Sequence, residues 1–282
     1  MTDGLAVVDK PAGWTSHDVV AKCRKLFGQK RVGHAGTLDP DATGVLLVGL
    51  GRVTRLLRFL TALPKSYTGE IVLGIETSTL DSSGEVLARF DMSSVTVQQA
   101  RAAAALFVGD IEQLPPMVSA VKIEGRRLHE LARAGVEVDR APRAVTVHRL
   151  DVDEGPEPGV LRIGVTCSSG TYVRALAADL GRALGGGAHL RGLRRTAVGS
   201  FTEADARGLD LLDVLPPAEA LRDYPRVTVD ADRAGVVAFG RPLPRFDGEG
   251  PWAVVNDRGE LLAMYGAAGN VAKPAVVIAA AG

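Results

Sequence analysis

The chain has 282 residues, enough for one large domain or a medium domain with a small one, and too few for several domains. Hydrophobic residues make up 46% and charged residues 23% of the chain, so a sizeable core can form and global disorder is excluded. The 33 basic and 33 acidic residues cancel, which argues against a polybasic tail.

The apolar runs of the chain are short. None approaches the roughly 18 to 20 uncharged residues of a membrane span, and the run Leu5 to Val8 is too short for a secretory signal. Cys23 and Cys167 are too few for a disulfide framework, so we expect both to be small core residues. These features predict a cytoplasmic protein with no membrane partner, and we expect a monomer, although the sequence does not fix the oligomeric state.

The first predicted element is an amphipathic helix over about 16–27, which Thr15 or Ser16 can cap and Gly28 can end. Its apolar residues recur at helical spacing: Val19, Val20, Cys23, Leu26 and Phe27. After a loop over 32–44, strands are predicted over 45–50, 67–73, 85–90 and 161–166. Helices are predicted over 97–107, 126–134 and 171–184.

The order of these elements shows no regular βαβ repeat, which favours an α+β fold over a doubly wound sheet. The composition changes around the prolines at 216, 217 and 225. Beyond them, short strands are predicted over 226–230, 252–256, 261–265 and 275–279. The sequence therefore predicts a main α+β body followed by a small β-rich appendage of about 60 residues.

Charge is distributed unevenly along this neutral chain. Residues 1–65, 121–149 and 171–195 carry net charges of +5, +3 and +4, and the remainder balances them at −12. If the three basic segments converge in the fold, they form a cleft that attracts phosphates. Scattered, solvated charge is the alternative that the charge pattern alone leaves open.

The segment from Gly33 to Gly44 concentrates the residues best suited to chemistry: glycines, a proline, a histidine and two carboxylates. Such a loop favours unusual backbone geometry and close approach of a ligand. Asp39 precedes Pro40, so its backbone is biased toward an extended conformation. As an isolated residue, Asp39 would sooner be interpreted as the cap of a turn, and only its context favours a role in chemistry.

One interpretation of this loop is the D-x-D-x-T signature of haloacid dehalogenase-like phosphotransferases, in which the first aspartate attacks phosphorus and Mg²⁺ joins both carboxylates. Asp39, Asp41 and Thr43 match that pattern. The signature should directly follow a buried apolar strand, and residues 33–38 offer none. Other phosphate-loop, nucleophile-elbow and zinc-deaminase motifs are missing, and no histidine pair has the spacing of a local metal site.

A series of motifs recurs in order along the chain. The central one is Gly36 to Gly44, which reads G-x-L-D-P-x-A-T-G. The others, in chain order, are D-K-P-x-G-x-x-S at 9–16, K-x-Y at 65–67, T-x-T-x-D at 77–81, and the segments 116–125, 167–174 and 187–195. Together these motifs resemble those of the TruB-type tRNA pseudouridine synthases, which isomerise uridine 55 in the T loop. The resemblance covers residues 4–200 and implies a largely antiparallel sheet flanked by helices.

The resemblance implies that Asp39 is the catalytic aspartate, which attacks the target uridine so that the glycosidic bond breaks and C5 is rejoined to the ribose. Arg174 matches an arginine that pairs with this aspartate and would favour its charged form. Lys10, in the N-terminal motif, is expected to support the site. Neither a cofactor nor a metal ion is implied.

The target uridine has to be extruded from the folded loop, which costs a few kcal/mol of stacking. By the same resemblance, Tyr67 stacks on the flipped base, Tyr172 is a second pocket tyrosine and Leu193 is an apolar wall. His34 matches a histidine that wedges into the T loop in place of the uridine. As isolated residues, the two tyrosines could instead belong to the core.

The resemblance also divides the chain into a catalytic domain, 1–222, and a PUA-like domain, 223–282. Residues 113–145 match an insertion that closes over RNA, where Lys122, Arg126 and Arg127 could contact phosphates or simply form a solvated face. The tail is short and has as many acidic as basic residues from Tyr224 onward, so its contact with RNA stays open.

The implied partner is the T stem-loop of tRNA. A non-catalytic tRNA-binding or tRNA-folding module is an alternative of a different class. The sequence leaves open the breadth of RNA substrates and whether Asp39 attacks C1′ of the ribose or C6 of the base.

Overall fold

The computed structural model describes residues 2–116, 122–123, 126–127 and 140–278. Its elements in the first part of the chain are β1 (Gly4–Lys10), α1 (Ser16–Leu26), β2 (Val32–His34), β3 (Thr43–Leu50), a 3-10 helix (Gly51–Leu56), α2 (Leu57–Ala62), β4 (Lys65–Leu73), β5 (Ile75–Thr77), β6 (Val86–Arg89), α3 (Val97–Ala105) and β7 (Gly109–Gln113).

The remaining elements are β8 (Lys122–Ile123), β9 (Arg126–Arg127), β10 (Arg143–Glu154), β11 (Val160–Cys167), α4 (Val173–Ala183), β12 (Ala188–Val198), β13 (Phe201–Thr202), a 3-10 helix (Glu219–Leu221), β14 (Arg226–Thr228), α5 (Ala231–Ala238), β15 (Leu243–Pro244), β16 (Trp252–Val255), β17 (Leu261–Ala268) and β18 (Val271–Val277). No helix in the described ranges is long and apolar enough to cross a membrane.

The chain divides into two compact units. The first unit contains residues 1–40, 44–63 and 198–282, and the second contains residues 41–43 and 64–197. Both mix helices with mainly antiparallel strands, so the predicted α+β class is confirmed. The boundary predicted between residues 222 and 223 stays a prediction.

In the first unit, β1 and β2 both pair antiparallel with β3, from Gly4↔Leu50 and Val32↔Leu50 onward. Helix α1 begins where predicted: Thr15 is its N-cap and forms a capping box with Asp18. Val19, Val20 and Cys23 on its inner face join the apolar cluster of β1 and β3. Gly28 follows the helix with φ +58°, a conformation that glycine adopts at little cost.

The first unit also contains a five-stranded sheet in the order β14-β16-β17-β18-β15. Ala253, Met264 and Val276 of this sheet lie in one apolar cluster with Leu5 and Leu47. Three arginine side chains donate hydrogen bonds to main-chain oxygens at the end of the sheet: Arg52 to Ile278 (2.9 Å), Arg55 to Val277 (2.5 Å) and Arg58 to Ala275 (2.8 Å). These bonds tie the C-terminal strand to the helical segment after β3.

The second unit is built on a sheet in the order β12-β4-β11-β10-β7. The pairs β4–β11, β11–β10 and β10–β7 are antiparallel. Helix α4 buries Val173, Leu176, Ala177 and Leu180 against this sheet, and its N-cap position is Tyr172. The predicted strands 67–73, 85–90 and 161–166 and helices 97–107 and 171–184 are confirmed with small shifts of their ends.

Several predicted elements differ from the structure. Arg126 and Arg127 form β9, which pairs antiparallel with β8, so the helix predicted over 126–134 does not begin at Arg126. Backbone pairing across a short hairpin overrides local helix propensity there. Residues 128–134 lie outside the described residues. The predicted loop 32–44 contains β2 and the start of β3, because Val32 to His34 find partners on β3 that local sequence does not indicate.

The last strand extends over Val271–Val277 instead of 275–279. Pro274 lacks an N–H and cannot donate a hydrogen bond to a neighbouring strand, so the sequence pattern of a strand is interrupted there. In the structure, Pro274 pairs with Tyr265 where the register shifts between Met264 and Tyr265. An irregularity of this kind is where a strand tolerates proline. Residue 279 lies outside the described residues.

Candidate active site

Asp39 lies, half-buried, in an irregular loop between β2 and β3, and the main chain on each side of it is held in place. Before it, the Leu38 N–H donates to Ser16 Oγ at 2.9 Å, and Ser16 Oγ donates to the Leu38 oxygen at 3.2 Å. After it, the Pro40 oxygen accepts from the Gly13 N–H at 3.0 Å. Because Ser16 begins α1, the helix fixes the backbone that carries Asp39.

Lys10 is fully buried and reinforces this arrangement. Its ammonium group donates to three carbonyl oxygens, those of Pro11 (2.9 Å), Trp14 (2.6 Å) and Pro40 (2.9 Å). An ammonium group has three donor hydrogens, so these bonds compensate much of the cost of burying the charge. Lys10 therefore connects the N-terminal motif to the residue that follows Asp39.

The phosphotransferase interpretation of this loop does not match the local structure. Asp39 and Asp41 precede β3 and Thr43 begins it, whereas the D-x-D-x-T signature should follow a buried strand. The preceding strand, β2, ends at His34, and residues 35–38 are irregular. Among the described residues, no group of three or more histidine, cysteine, aspartate or glutamate side chains is arranged to hold a metal ion.

His34 is the last residue of β2 and pairs with Val48 of β3. Its ring meets the ring of His17 edge to face, with centroids 5.4 Å apart and planes at 79°. His17 belongs to the first turn of α1, next to Ser16. The same helix end therefore contacts both His34 and the Asp39 loop, a connection that the sequence pattern did not reveal.

In the second unit, Arg174 is 5% exposed and lies in the first turn of α4. Its Nη1 donates to the Thr79 main-chain oxygen at 2.9 Å and lies 3.5 Å from Asp81 Oδ2. Thr79 Oγ1 donates to Asp81 Oδ1 at 2.6 Å, and Thr77 Oγ1 donates to the Asp81 main-chain oxygen at 2.7 Å. The T-x-T-x-D stretch thus forms a compact turn that orients the Arg174 guanidinium.

Leu80 within this turn has φ +63°, a left-handed conformation unusual for a residue with a branched side chain. Such a conformation costs roughly 1–2 kcal/mol. The Leu80 oxygen accepts from the Leu190 N–H at 3.0 Å, and the Ser82 N–H donates to the Leu190 oxygen at 3.1 Å. These two bonds anchor the turn to β12.

Tyr67 and Leu193 lie on β4 and β12, which are neighbours in the sheet of the second unit. Both are half-buried and border the same apolar cluster. The structure therefore brings these two sequence-predicted residues to one region of that sheet. An aromatic face and an aliphatic side chain there can supply apolar contact to a planar ligand.

Tyr172 is held by a residue that the sequence analysis missed. Its N–H donates to Gln113 Oε1 at 2.9 Å, and Gln113 Nε2 donates to the Tyr172 oxygen at 3.3 Å. Gln113 is 1% exposed and ends β7. No local signal marks Gln113, because its role depends on pairing with a residue 59 positions away.

Lys65, two residues before Tyr67, is also buried. Its Cα partner across β4 and β11 is Cys167. Burial, together with the positive charge of Arg195, lowers the pKa of the Lys65 ammonium to about 8. Burial raises the pKa values of the Cys167 and Cys23 thiols to about 11, so both cysteines are the inert core residues that were predicted.

Lys122, Arg126 and Arg127 belong to the hairpin of β8 and β9, in the register Lys122↔Arg127 and Ile123↔Arg126. The backbone pairing places two of these three cations opposite each other. Their side chains lie outside the described part of the structure, so their contacts with phosphate stay predictions.

Family models match the chain along most of its length. The TruB family pseudouridylate synthase N-terminal domain matches residues 24–173. The tRNA pseudouridylate synthase B C-terminal domain matches residues 174–224, and the tRNA pseudouridine synthase II C-terminal domain matches residues 224–279. The PUA-like character of the tail stays a prediction.

Relatives of known name are similar over nearly the whole chain. The tRNA pseudouridine synthase B of Rhodococcus jostii is 48% identical, over 98% of this chain and 93% of the relative. That of Symbiobacterium thermophilum is 52% identical, over 84% and 82%. Among solved structures, a Cbf5-Nop10-Gar1 complex contains a chain with a TM-score of 0.77 and 26% identity, covering 99% of this chain and 85% of that one. The chain belongs to the TruB family of pseudouridylate synthases.

Proposed function

We propose that this enzyme converts uridine to pseudouridine at position 55 in the T loop of tRNA, with Asp39 as the nucleophile. Relatives named tRNA pseudouridine synthase B at 44–52% identity support tRNA as the substrate. The reaction is an isomerisation: the bond from ribose C1′ to N1 breaks, a bond from C1′ to C5 forms, and the proton lost from C5 is balanced by one gained at N1. It requires no net oxidant, reductant or co-substrate.

The observation that carries this proposal is the restraint of the main chain on both sides of Asp39. Ser16 holds Leu38, while Lys10 and Gly13 hold Pro40. A nucleophile reacts faster when its backbone is fixed before the substrate arrives, because less conformational entropy is lost on reaching the transition state. A carboxylate on such a loop is suited to attack either ribose C1′ or base C6.

We assign the other site residues as follows in this proposal. Arg174 favours the charged form of the nucleophile, and its orientation by Thr79 and Asp81 supports a positioning role. Tyr67 stacks on the flipped uracil, with Leu193 and Tyr172 completing the apolar surround. His34 fills the space that the uridine leaves, and its half-buried ring beside His17 is suited to stacking.

The test measures pseudouridine formation in a prefolded T stem-loop, with the target uridine tritiated at C5 so that the reaction releases label. We expect Asp39→Asn to abolish release, because the amide keeps the shape of the side chain but lacks the anionic oxygen. RNA binding should largely survive this substitution. Release within about tenfold of the unsubstituted rate would refute the nucleophile assignment.

Asp41→Asn is the matched control, since it makes the same change two residues away on the same loop. A D-x-D-x-T phosphotransferase needs both carboxylates and Mg²⁺, whereas the proposed reaction needs Asp39 and no divalent cation. We expect Asp41→Asn to retain turnover and the unsubstituted enzyme to work in EDTA. Tight RNA binding with no turnover by the unsubstituted enzyme would instead favour the non-catalytic module.

A further inference from the structure

A groove runs along the exposed side of α1, beside the turn whose main chain supports the Asp39 loop. It has a volume of about 370 Å³. Its lining residues come from one side of the helix and the turn before it: Gly13, Trp14, Asp18, Ala21, Lys22 and Lys25. Trp14 is half-buried and packs on the apolar cluster beneath α1, leaving part of its ring available to a ligand.

The charge of this groove is positive along most of the helix. No acidic residue occurs between Val19 and Leu38, a segment with five lysines and arginines. In the described part of the chain, the Lys25 ammonium makes no hydrogen bond or ion pair. Lys22 meets Asp210 at 3.4 Å, and their side chains are 36% and 85% exposed, so this pair is weak and solvent-screened.

The acidic residue within the groove is Asp18, at the first turn of the helix. Its Oδ2 accepts from the Thr15 N–H at 2.9 Å and from Thr15 Oγ1 at 2.6 Å, so this carboxylate is committed to the capping box. Lys22 and Lys25 lie one and two turns further along. A ligand with phosphates at the Lys22 and Lys25 end and a flat group near Trp14 matches this order of charges.

The groove adjoins the loop that carries Asp39. Gly13, at one end of the groove, donates its N–H to the Pro40 oxygen at 3.0 Å. Helix α1 has 11 residues and so extends for roughly 16 Å from that point. At about 3.4 Å of axis per phosphate, this length corresponds to roughly four or five phosphates of one nucleic-acid strand.

We propose that the groove formed by Trp14, Lys22 and Lys25 binds the sugar–phosphate backbone of the RNA strand that carries the target uridine. This inference rests on the proposed function and adds a contact surface to it. The two lysines hold phosphates, and the Trp14 ring packs on a base or ribose. Asp210 competes with phosphate for Lys22, so the free enzyme holds this cation in a pair that RNA displaces.

The first experiment measures the affinity for a T stem-loop that already contains pseudouridine, which prevents turnover, between about 50 and 200 mM salt. We expect Lys25→Gln to weaken binding roughly two- to fivefold, as for one exposed charge contact. The slope of log K against log salt should become shallower by about 0.7 to 0.9, the value for one phosphate. An unchanged slope would overturn the proposal.

Arg24→Gln is the matched control, because it removes the same charge from the neighbouring position on a different side of the helix. Arg24 is already engaged, since its Nη2 donates to the Val32 oxygen at 3.3 Å. We expect this variant to bind RNA nearly as well as the unsubstituted enzyme. Equal losses for Arg24→Gln and Lys25→Gln would mean that net charge acts at long range and that the groove is not a contact.

Asp210→Asn gives a prediction of opposite sign. Without its carboxylate partner, Lys22 is free to bind phosphate, so RNA should bind roughly two- to fivefold more tightly. A merely structural role for the Lys22–Asp210 pair would leave affinity unchanged or lower it, and either result would overturn the role of Lys22.

A separate experiment tests the Trp14 ring. Addition of RNA should quench tryptophan fluorescence, and Trp14→Leu should remove that quenching. Quenching that persists in Trp14→Leu would overturn the role of the ring.

Failure of the groove proposal can be separated from failure of the proposed function. If the unsubstituted enzyme forms no pseudouridine in the stem-loop, the proposed function is wrong. If turnover is normal but Lys25→Gln and Asp210→Asn leave affinity unchanged, the groove proposal alone is wrong.

Discussion

Ser16 and Leu38 are joined by two reciprocal hydrogen bonds, one from the Leu38 N–H to Ser16 Oγ and one from Ser16 Oγ to the Leu38 oxygen. A hydroxyl can donate and accept at once, so one buried side chain satisfies both main-chain groups of the residue before Asp39. The first residue of a helix thereby sets the position of the candidate nucleophile.

Replacing Ser16 by alanine should therefore affect both stability and catalysis. Two buried main-chain groups lose their partner, which costs about 1–3 kcal/mol of unfolding free energy. Because the freed loop must be ordered again in the transition state, we expect kcat to fall more than RNA affinity. Thermal unfolding, single-turnover rates and RNA titrations measure the three effects.

Thr15→Ala is the control for Ser16→Ala, since it removes the neighbouring hydroxyl and the N-cap of the same helix. Loss of this cap should cost about 0.5–2 kcal/mol of stability. Thr15 makes no side-chain bond to the Asp39 loop in the described structure, so the rate should be nearly unchanged. Similar rate losses in both variants would show that helix stability, and not the bond to Leu38, controls the loop.

Substitutions of Tyr67 can distinguish stacking by its ring from proton transfer by its hydroxyl. If its ring only stacks on the flipped uracil, Tyr67→Phe should be mild, and Tyr67→Ala should lose about 1–3 kcal/mol of transition-state stabilisation. Pseudouridine formation under single-turnover conditions measures both. Should Phe prove as inactive as Ala, the hydroxyl takes part in the proton transfer at C5 and stacking alone is insufficient.

The contact between the Asp81 carboxylate and the Arg174 guanidinium leads to a further prediction. Asp81→Asn keeps the bond from Thr79 Oγ1 but removes the negative charge 3.5 Å from the guanidinium. The Thr79 oxygen still accepts from Arg174, so the fold should persist with a loss of at most about 3 kcal/mol. We expect the rate to fall while RNA affinity stays within a few-fold. A loss of affinity as large as the loss of rate would indicate that Asp81 holds an RNA-binding surface instead.

The sequence predicted those elements whose determinants lie close together along the chain. Helix α1 follows from apolar spacing, a capping threonine and a terminal glycine, and all three features act within 14 residues. The predicted start of the last strand lies four residues after the start of β18, because Pro274 breaks the sequence pattern. In the structure, the register shift opposite Pro274 accommodates the proline. The helix predicted at Arg126 was wrong because a hairpin partner decided the conformation there.

The sequence named the candidate site residues, which stay predictions, but it did not reveal the contacts that hold their main chain. The motif around Asp39 and the family resemblance indicated the chemistry from the sequence alone. Lys10 was expected to support the site, but its bond to the Pro40 oxygen 30 residues away was not predicted, and Gln113, which holds Tyr172 59 residues away, was missed altogether. Hydrogen bonds between a side chain and a distant main chain leave no periodic signal, so only the folded structure reveals them.

Lys65 makes the folding stability of the protein depend on pH, and the sign of this dependence follows from the pKa of Lys65. Burial and Arg195 lower the pKa of Lys65 from 10.5 to about 8 in the folded protein. Between those pH values the unfolded chain binds more protons at this site than the folded one, so the Lys65 contribution to stability rises with pH. The full difference is of the order of 3 kcal/mol, by which the charged ammonium disfavours folding at neutral pH.

Two substitutions of Lys65 isolate this contribution, because the cysteines and tyrosines that also titrate at high pH remain in both. Lys65→Arg stays charged, so the parent should gain stability relative to it between about pH 8 and 10.5. Lys65→Met stays neutral, so its stability advantage over the parent should shrink over the same range as the parent lysine loses its proton. Chemical denaturation at several pH values measures both differences. Differences that stay flat through this range would mean that Lys65 remains charged in the folded protein, compensated by its surroundings.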